Sequence, residues 1–137
     1  MKTQSILILT LLTALVSCTK EPETNKDIRT DFLGTWKCTQ SSKLNGSSEF
    51  LVSIKIDSTH DSRINMFNFY NIGSSKKIYA NISTVAAKPL SMPFQPTGSS
   101  EDIEGDGSDV SSTKLTFDYV VDDGNAIDSI SAIFIKQ

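Results

Sequence analysis

The chain has 137 residues, 38% of them hydrophobic, with 13 basic and 16 acidic side chains, a net charge of −3, two cysteines and one histidine. That length supports one small domain rather than two cores. The mild acidity offers no basic footprint for nucleic acid, one histidine is poor material for a zinc site, and none of the many serines sits in the sharp-turn motif that a serine–histidine–acid triad needs.

Taken in chain order, the first segment carries one positive charge, Lys2, and then an apolar run from Ile6 to Val16 broken only by threonines. This charged start and short apolar stretch predict a signal peptide over residues 1–17, too short to be a comfortable membrane span. Small Ser17 precedes Cys18. Leu15-Val16-Ser17-Cys18 resembles the bacterial lipobox. The resemblance implies that the Cys18 thiol takes a diacylglycerol, that cleavage falls just before it, and that the new amino group is acylated. A thiol suits that alkylation because it is the strongest neutral-pH nucleophile among side chains, and more than one acyl chain makes anchoring stable.

Residues 18–30 are charged, nearly free of large apolar side chains and broken by Pro22. They predict a flexible tether reaching about 20 Å. Lys20-Glu21 also resembles the surface-export signal of Bacteroidota-type lipoproteins. The expected location is therefore the bacterial outer membrane, on its periplasmic face or at the cell surface. With Cys18 lipidated, Cys38 has no intrachain partner and is expected to be buried and inert.

Residues 31–137 alternate with period two and show no helical stripe. Phe32–Gln40 reads as a first strand, with Phe32, Gly34, Trp36 and Cys38 on one face. Asn45-Gly46 marks a hairpin. Glu49–Asp57 follows, with Phe50, Val52, Ile54 and Ile56 inward. Arg63–Tyr70 and Lys77–Thr84 are the third and fourth strands. Pro89, Pro93 and Pro96 bracket Leu90-Ser91-Met92, so the fifth strand is expected to be short, irregular or at an edge. Glu101–Asp109 is a weak sixth strand. Lys114–Val121, the turn at Asp123-Gly124 and Ser129–Lys136 complete the set. Eight short strands joined by short turns predict an all-β, antiparallel up-and-down barrel, whose closure would leave no exposed edges.

Gly34-Thr35-Trp36 resembles the Gly-x-Trp signature of lipocalin-like barrels. Residues 31–137 as a whole are similar to small lipocalin-like lipoproteins of Bacteroidota-type bacteria. The similarity is carried by Phe32–Lys37, Asn68-Phe69-Tyr70 with Gly73, Leu90–Gln95, Ile103–Gly107 and Leu115–Tyr119 followed by Asp123-Gly124. It implies an eight-stranded barrel closed at one end by Trp36 and does not fix a ligand. Independently of any family, Trp36 is a large core aromatic. Gly105 and Gly107 share the inward parity of Ile103, and Trp36 is the expected large neighbour filling the room they leave.

No residue is expected to be catalytic, and no cofactor is implied. Asp102, Glu104 and Asp106 share the outer face. Their spacing hints at a calcium loop, but the twelfth position is Thr113, where a bidentate carboxylate is needed. They read as a solvated acidic stripe, and no metal site is assigned. His60 sits in a polar turn between Asp57 and Asp61 and reads as a surface residue. Binding is left, in two forms. One is a small apolar or amphipathic ligand at the barrel mouth, beside the proline-interrupted strand, with Leu90, Met92 and Phe94 as the lining. The other is a partner protein docked on an outward apolar patch of Phe67, Phe69, Ile133 and Ile135, whose parity opposes that of Ile64, Met66 and Phe134; inhibition of a protease is one version of it.

Overall fold

The computed structural model describes residues 26–84, 89–108 and 111–137, so the signal peptide, Cys18 and most of the tether expected from the sequence lie outside the described residues. Eight strands follow one another: β1 (Gly34–Ser42), β2 (Gly46–Ile56), β3 (Arg63–Phe67), β4 (Lys77–Ile82), β5 (Leu90–Pro96), β6 (Asp102–Ser108), β7 (Lys114–Asp122) and β8 (Ile127–Lys136). Each pairs antiparallel with the next, and β8 returns to β1. The expected eight-stranded up-and-down barrel is the fold of the protein. The cause is visible in β8, where every second residue from Asp128 to Phe134 is buried and those between are exposed. A strand with that pattern fits one wet and one dry face. Among the described residues no helix is long and apolar enough to cross a membrane.

The end of the barrel at which the described chain enters is sealed by Trp36. Its ring is fully buried, and its indole N–H donates to the Phe32 carbonyl at 2.8 Å. Lys136 lies over the ring at 5.4 Å and donates to the Asp31 carbonyl at 3.0 Å. Gly34 begins β1 at φ 124°, a backbone state that a side chain would strain. Beneath it, Ile28–Asp31 form a 3₁₀ turn capped by Asp27, which accepts from the Arg29 backbone N–H. The Arg29 guanidinium grips the Asp27 carboxylate at 2.7–3.0 Å. It also donates to the carbonyls of Asp57 at 3.1 Å and His60 at 2.7 Å. The expected tether thus ends earlier than Thr30: Asp27–Thr30 belong to the folded domain, clasped to the β2–β3 loop by one arginine.

The third strand also stops short of its expected end. It ends at Phe67, and Phe69–Asn71 form a second 3₁₀ turn. Asn68, Tyr70 and Asn71 have φ of 61°, 56° and 60°. Asn68 stabilises the departure with its side chain, donating to the Leu51 carbonyl and accepting from the Gly73 N–H, each at 2.8 Å. The excursion breaks strand parity and swings Phe69 inward. Phe69 stacks on Phe134 at 5.5 Å and meets Phe117 and Tyr119 at 5.6 and 5.0 Å.

The interior is filled. Trp36, Phe69, Phe117, Phe134, Ile64, Met66, Leu90 and Leu115 are among many side chains with essentially no exposed surface. Burying each is worth roughly 1.5–3 kcal/mol. Phe50 and Ile56, near the ends of the inward face of β2, are only half-buried and exposed respectively. Gly105 and Gly107 do make room for large neighbours, but these are not Trp36. A Cβ on Gly105 would lie 2.4 Å from the Tyr119 Cβ, and one on Gly107 would lie 2.7 Å from the Leu90 Cβ. Cys38 is buried in β1, paired with Phe50 on one side and Phe134 on the other, and burial pushes its thiol up to about 12.

Candidate functional site

The predicted ligand mouth does not form as a mouth. Leu90 and Met92 point into the packed interior, whereas Phe94 is 63% exposed on the outer wall. A register shift between Met92 and Gln95 separates them. Pro93 cannot donate to a ladder, so the strand bulges there and two successive residues face out. The fifth strand is irregular as expected, but it is longer than expected and is not an edge. Its ladder to β4 holds only Asn81↔Ser91 and Ile82↔Leu90. Beyond these pairs the Gln95 carboxamide substitutes for backbone: it accepts from the Tyr79 N–H at 2.9 Å and donates to the Tyr79 carbonyl at 2.8 Å.

The outer wall of β5, β6, β7, β8 and β1 carries a groove of about 810 Å³. One of its rims is a single row across five strands: Ser91, Asp106, Asp118, Ser131 and Ser41, each paired with the next. The other rim is Pro93, Glu104, Val120, Ser129 and Lys43. Between the rims run the backbones of residues whose side chains point inward, Met92, Tyr119 and Ile130 among them. The rims are shallow because so many positions are serine. The Ser131 hydroxyl donates to Asp118 at 2.6 Å. Three carboxylates and one ammonium line the groove, which disfavours an anionic occupant. A small apolar niche of about 70 Å³ adjoins it, framed by Phe94, Val120 and Ile127, with Glu104 and Val120 shared by both hollows. Hydroxyls, carboxylates and an apolar corner on one surface can hold a molecule with a polar and an apolar part.

The other predicted surface is partly dismantled. Phe69 is core, not patch, because the left-handed residues around it reset the register. Phe67 is half-buried, with Lys55 5.1 Å from its ring. Ile133 and Ile135 remain outward at 45% and 46% exposure. Ile135 sits beside Lys37, which in turn sits beside the exposed Leu51, so the stripe crosses β8, β1 and β2. His60 is exposed in its turn, 2.8 Å from the Thr59 hydroxyl and 3.4 Å from Asp57. The acidic stripe is on the outer wall, where Glu104 and Asp106 join the groove. Among the described residues no three His, Cys, Asp or Glu side chains are grouped to hold a metal ion. The groove was not legible as a site, because its rows are assembled from residues far apart in sequence and consist mostly of serine and aspartate.

No family model matches the chain, and no curated protein matches it. Solved structures do. The chain is similar to a redesigned beta barrel at 17% identity and a TM-score of 0.58, over 81% of this chain and 96% of that one. It is similar to the redesigned barrel mFAP1, bound to DFHBI, at 13% identity and 0.56, over 81% and 100%, and to EF1p2_mFAP2b, bound to DFHBI, at 16% and 0.55, over 81% and 98%. At these identities the likeness is one of fold: a β-barrel.

Proposed function

We propose that this protein is a lipid-anchored binding barrel that holds a small amphipathic molecule on its outer wall rather than inside. The observation that carries the reading is the pairing of a filled interior with an external groove that joins a hydroxyl- and carboxylate-lined trough to an apolar corner at Phe94. The preferred occupant is neutral or cationic. Barrels of this shape bound to DFHBI support small-molecule binding as a use of the fold. Anchoring rests on the lipobox-like Leu15–Cys18, and the affiliation with small lipocalin-like lipoproteins of the Bacteroidota-type outer membrane rests on the segments around Gly34 and Trp36. The role is binding rather than turnover: no catalytic residue takes part in the reading.

Amide chemical shifts of the full chain test it, with octyl glucoside below its micellar concentration as neutral probe and octyl sulfate as anionic control. Shifts with the glucoside should centre on Ser91, Gly105, Val120 and Ser131. They should vanish in Ser131→Trp, which fills the trough from an exposed position. A response centred instead on Ile133, Ile135 and Leu51 would favour the second reading, a partner protein docked on that exposed aliphatic stripe.

A further inference from the structure

The barrel is closed by its ladder, yet its wall has a notch. β2 has eleven residues and β3 five, and their pairing runs only from Ser53↔Phe67 to Ile56↔Ile64. At the end of the barrel away from Trp36, β2 therefore continues with β1 on one side and no strand on the other. Main-chain groups of alternate residues point to alternate sides of a strand. The Asp57 N–H bonds Arg63 across β3, and the Leu51 carbonyl accepts from Asn68 on the same side. Ser47 and Glu49 share that parity. Their N–H and C=O groups accordingly face the notch, where they have no hydrogen-bond partner among the described residues. Residues 46–49 are exposed.

This free run lacks the devices that usually blunt an edge. It has neither proline nor lysine. Glu49, its one charge, is held on the outer wall by Lys37 at 2.9 Å and Thr39 at 3.1 Å. Apolar surface flanks it on both sides. Leu51 is exposed outside, and Phe50 and Tyr70 are half-buried at the inner rim. The rim is acidic: the Asp128 carboxylate is buried there and accepts from neutral donors, the Ser42 hydroxyl, the Leu44 N–H and the Asn45 carboxamide.

We infer that the Gly46–Leu51 edge of β2 accepts an extended peptide segment of a partner protein as an added antiparallel strand, with basic residues alternating with apolar ones. Main-chain bonds to Ser47 and Glu49 supply register, Leu51 and Phe50 supply apolar contact, and the acidic rim selects lysine or arginine. A second copy is the poorer occupant, because self-pairing about Ser48 would bring two Glu49 residues and two acidic rims together. The edge shares no residue with the outer groove, so the two readings stand or fall apart.

The test uses the ¹⁵N-labelled full chain and three ten-residue peptides: one alternating lysine and valine, one alternating glutamate and valine, and the lysine–valine peptide methylated on alternate amide nitrogens. The lysine–valine peptide should slow exchange of the Ser47 and Glu49 amides at least tenfold. The glutamate peptide should bind at least tenfold more weakly, and the methylated peptide should not protect these amides. Glu49→Pro removes a donor facing the notch and none facing β1, so it should keep the fold and lose the protection. Equal binding of the methylated peptide, protection confined to the groove, or protection that rises with protein concentration without any peptide would each overturn the proposal.

Discussion

Phe69 is held in place by backbone that ordinarily resists being there. A left-handed residue other than glycine costs roughly 1–2 kcal/mol, and Asn68, Tyr70 and Asn71 all adopt that state. Asparagine tolerates it best, which suits Asn68 and Asn71. The offset is the ring itself, fully buried among Phe117, Tyr119 and Phe134, where each aromatic pair adds about 0.5–1.5 kcal/mol to the burial term. Phe69→Ala is expected to cost about 3–5 kcal/mol, read as a lowered urea midpoint. A loss below about 1 kcal/mol would mean that the ring does not hold the barrel together. Alternation along Arg63–Phe67 would have placed Phe69 outside. Its true position depends on contacts with β7 and β8, which no local pattern encodes.

Among the elements, β7 and β8 were the easiest to read, because they pair with each other from Lys114↔Ile135 to Asp122↔Ile127 and, apart from the buried Asp128, their inward residues are large and apolar or, at Ala132, a small filler. β5 was harder. Its prolines correctly implied irregularity, yet they concealed that Gln95 completes the wall in place of a strand pair. Gln95→Leu keeps the bulk and removes both bonds to Tyr79. It is expected to cost about 1–3 kcal/mol, the penalty for leaving buried polar groups unmet, and to speed hydrogen exchange at the Tyr79 amide well beyond that at Ala80. Unchanged exchange at Tyr79 would show that the seam is sealed by something else. Phe94 lies on the outer wall and not at a mouth, because the bulge at Pro93 turns it outward.

At the scale of the whole molecule, stability should decline at both ends of the pH range. Several carboxylates are held below their usual range: Asp27 by Arg29, Glu49 by Lys37 and then Thr39, Asp57 by the Thr59 hydroxyl and N–H, and Asp123 by the N–H groups of Asn125 and Ala126. A lowered folded value means that their contribution is present above about pH 4 and is lost as pH falls through the folded values. Burial raises Cys38 to about 12, and burial likewise pushes the Tyr119 phenol up. That contribution is complete below about pH 9 and is lost as pH rises toward 12. Urea midpoints should therefore be flat from about pH 5 to 8 and fall on either side. A midpoint that rose above pH 9 would contradict the burial of these groups.

Strand number, their order and the inward face of most of them follow from the sequence alone, because a two-residue period with one apolar face, repeated over eight short strands joined by short turns, suits an antiparallel wall that curls round to meet itself. The lipobox-like start is legible for a similar reason: it is contiguous. What only the tertiary structure decided is whether the barrel is hollow, where Phe69 and Phe94 lie, and which surface is free. Those depend on packing volume, on a bulge, and on two strands of unequal length, and each arises between residues that are distant along the chain.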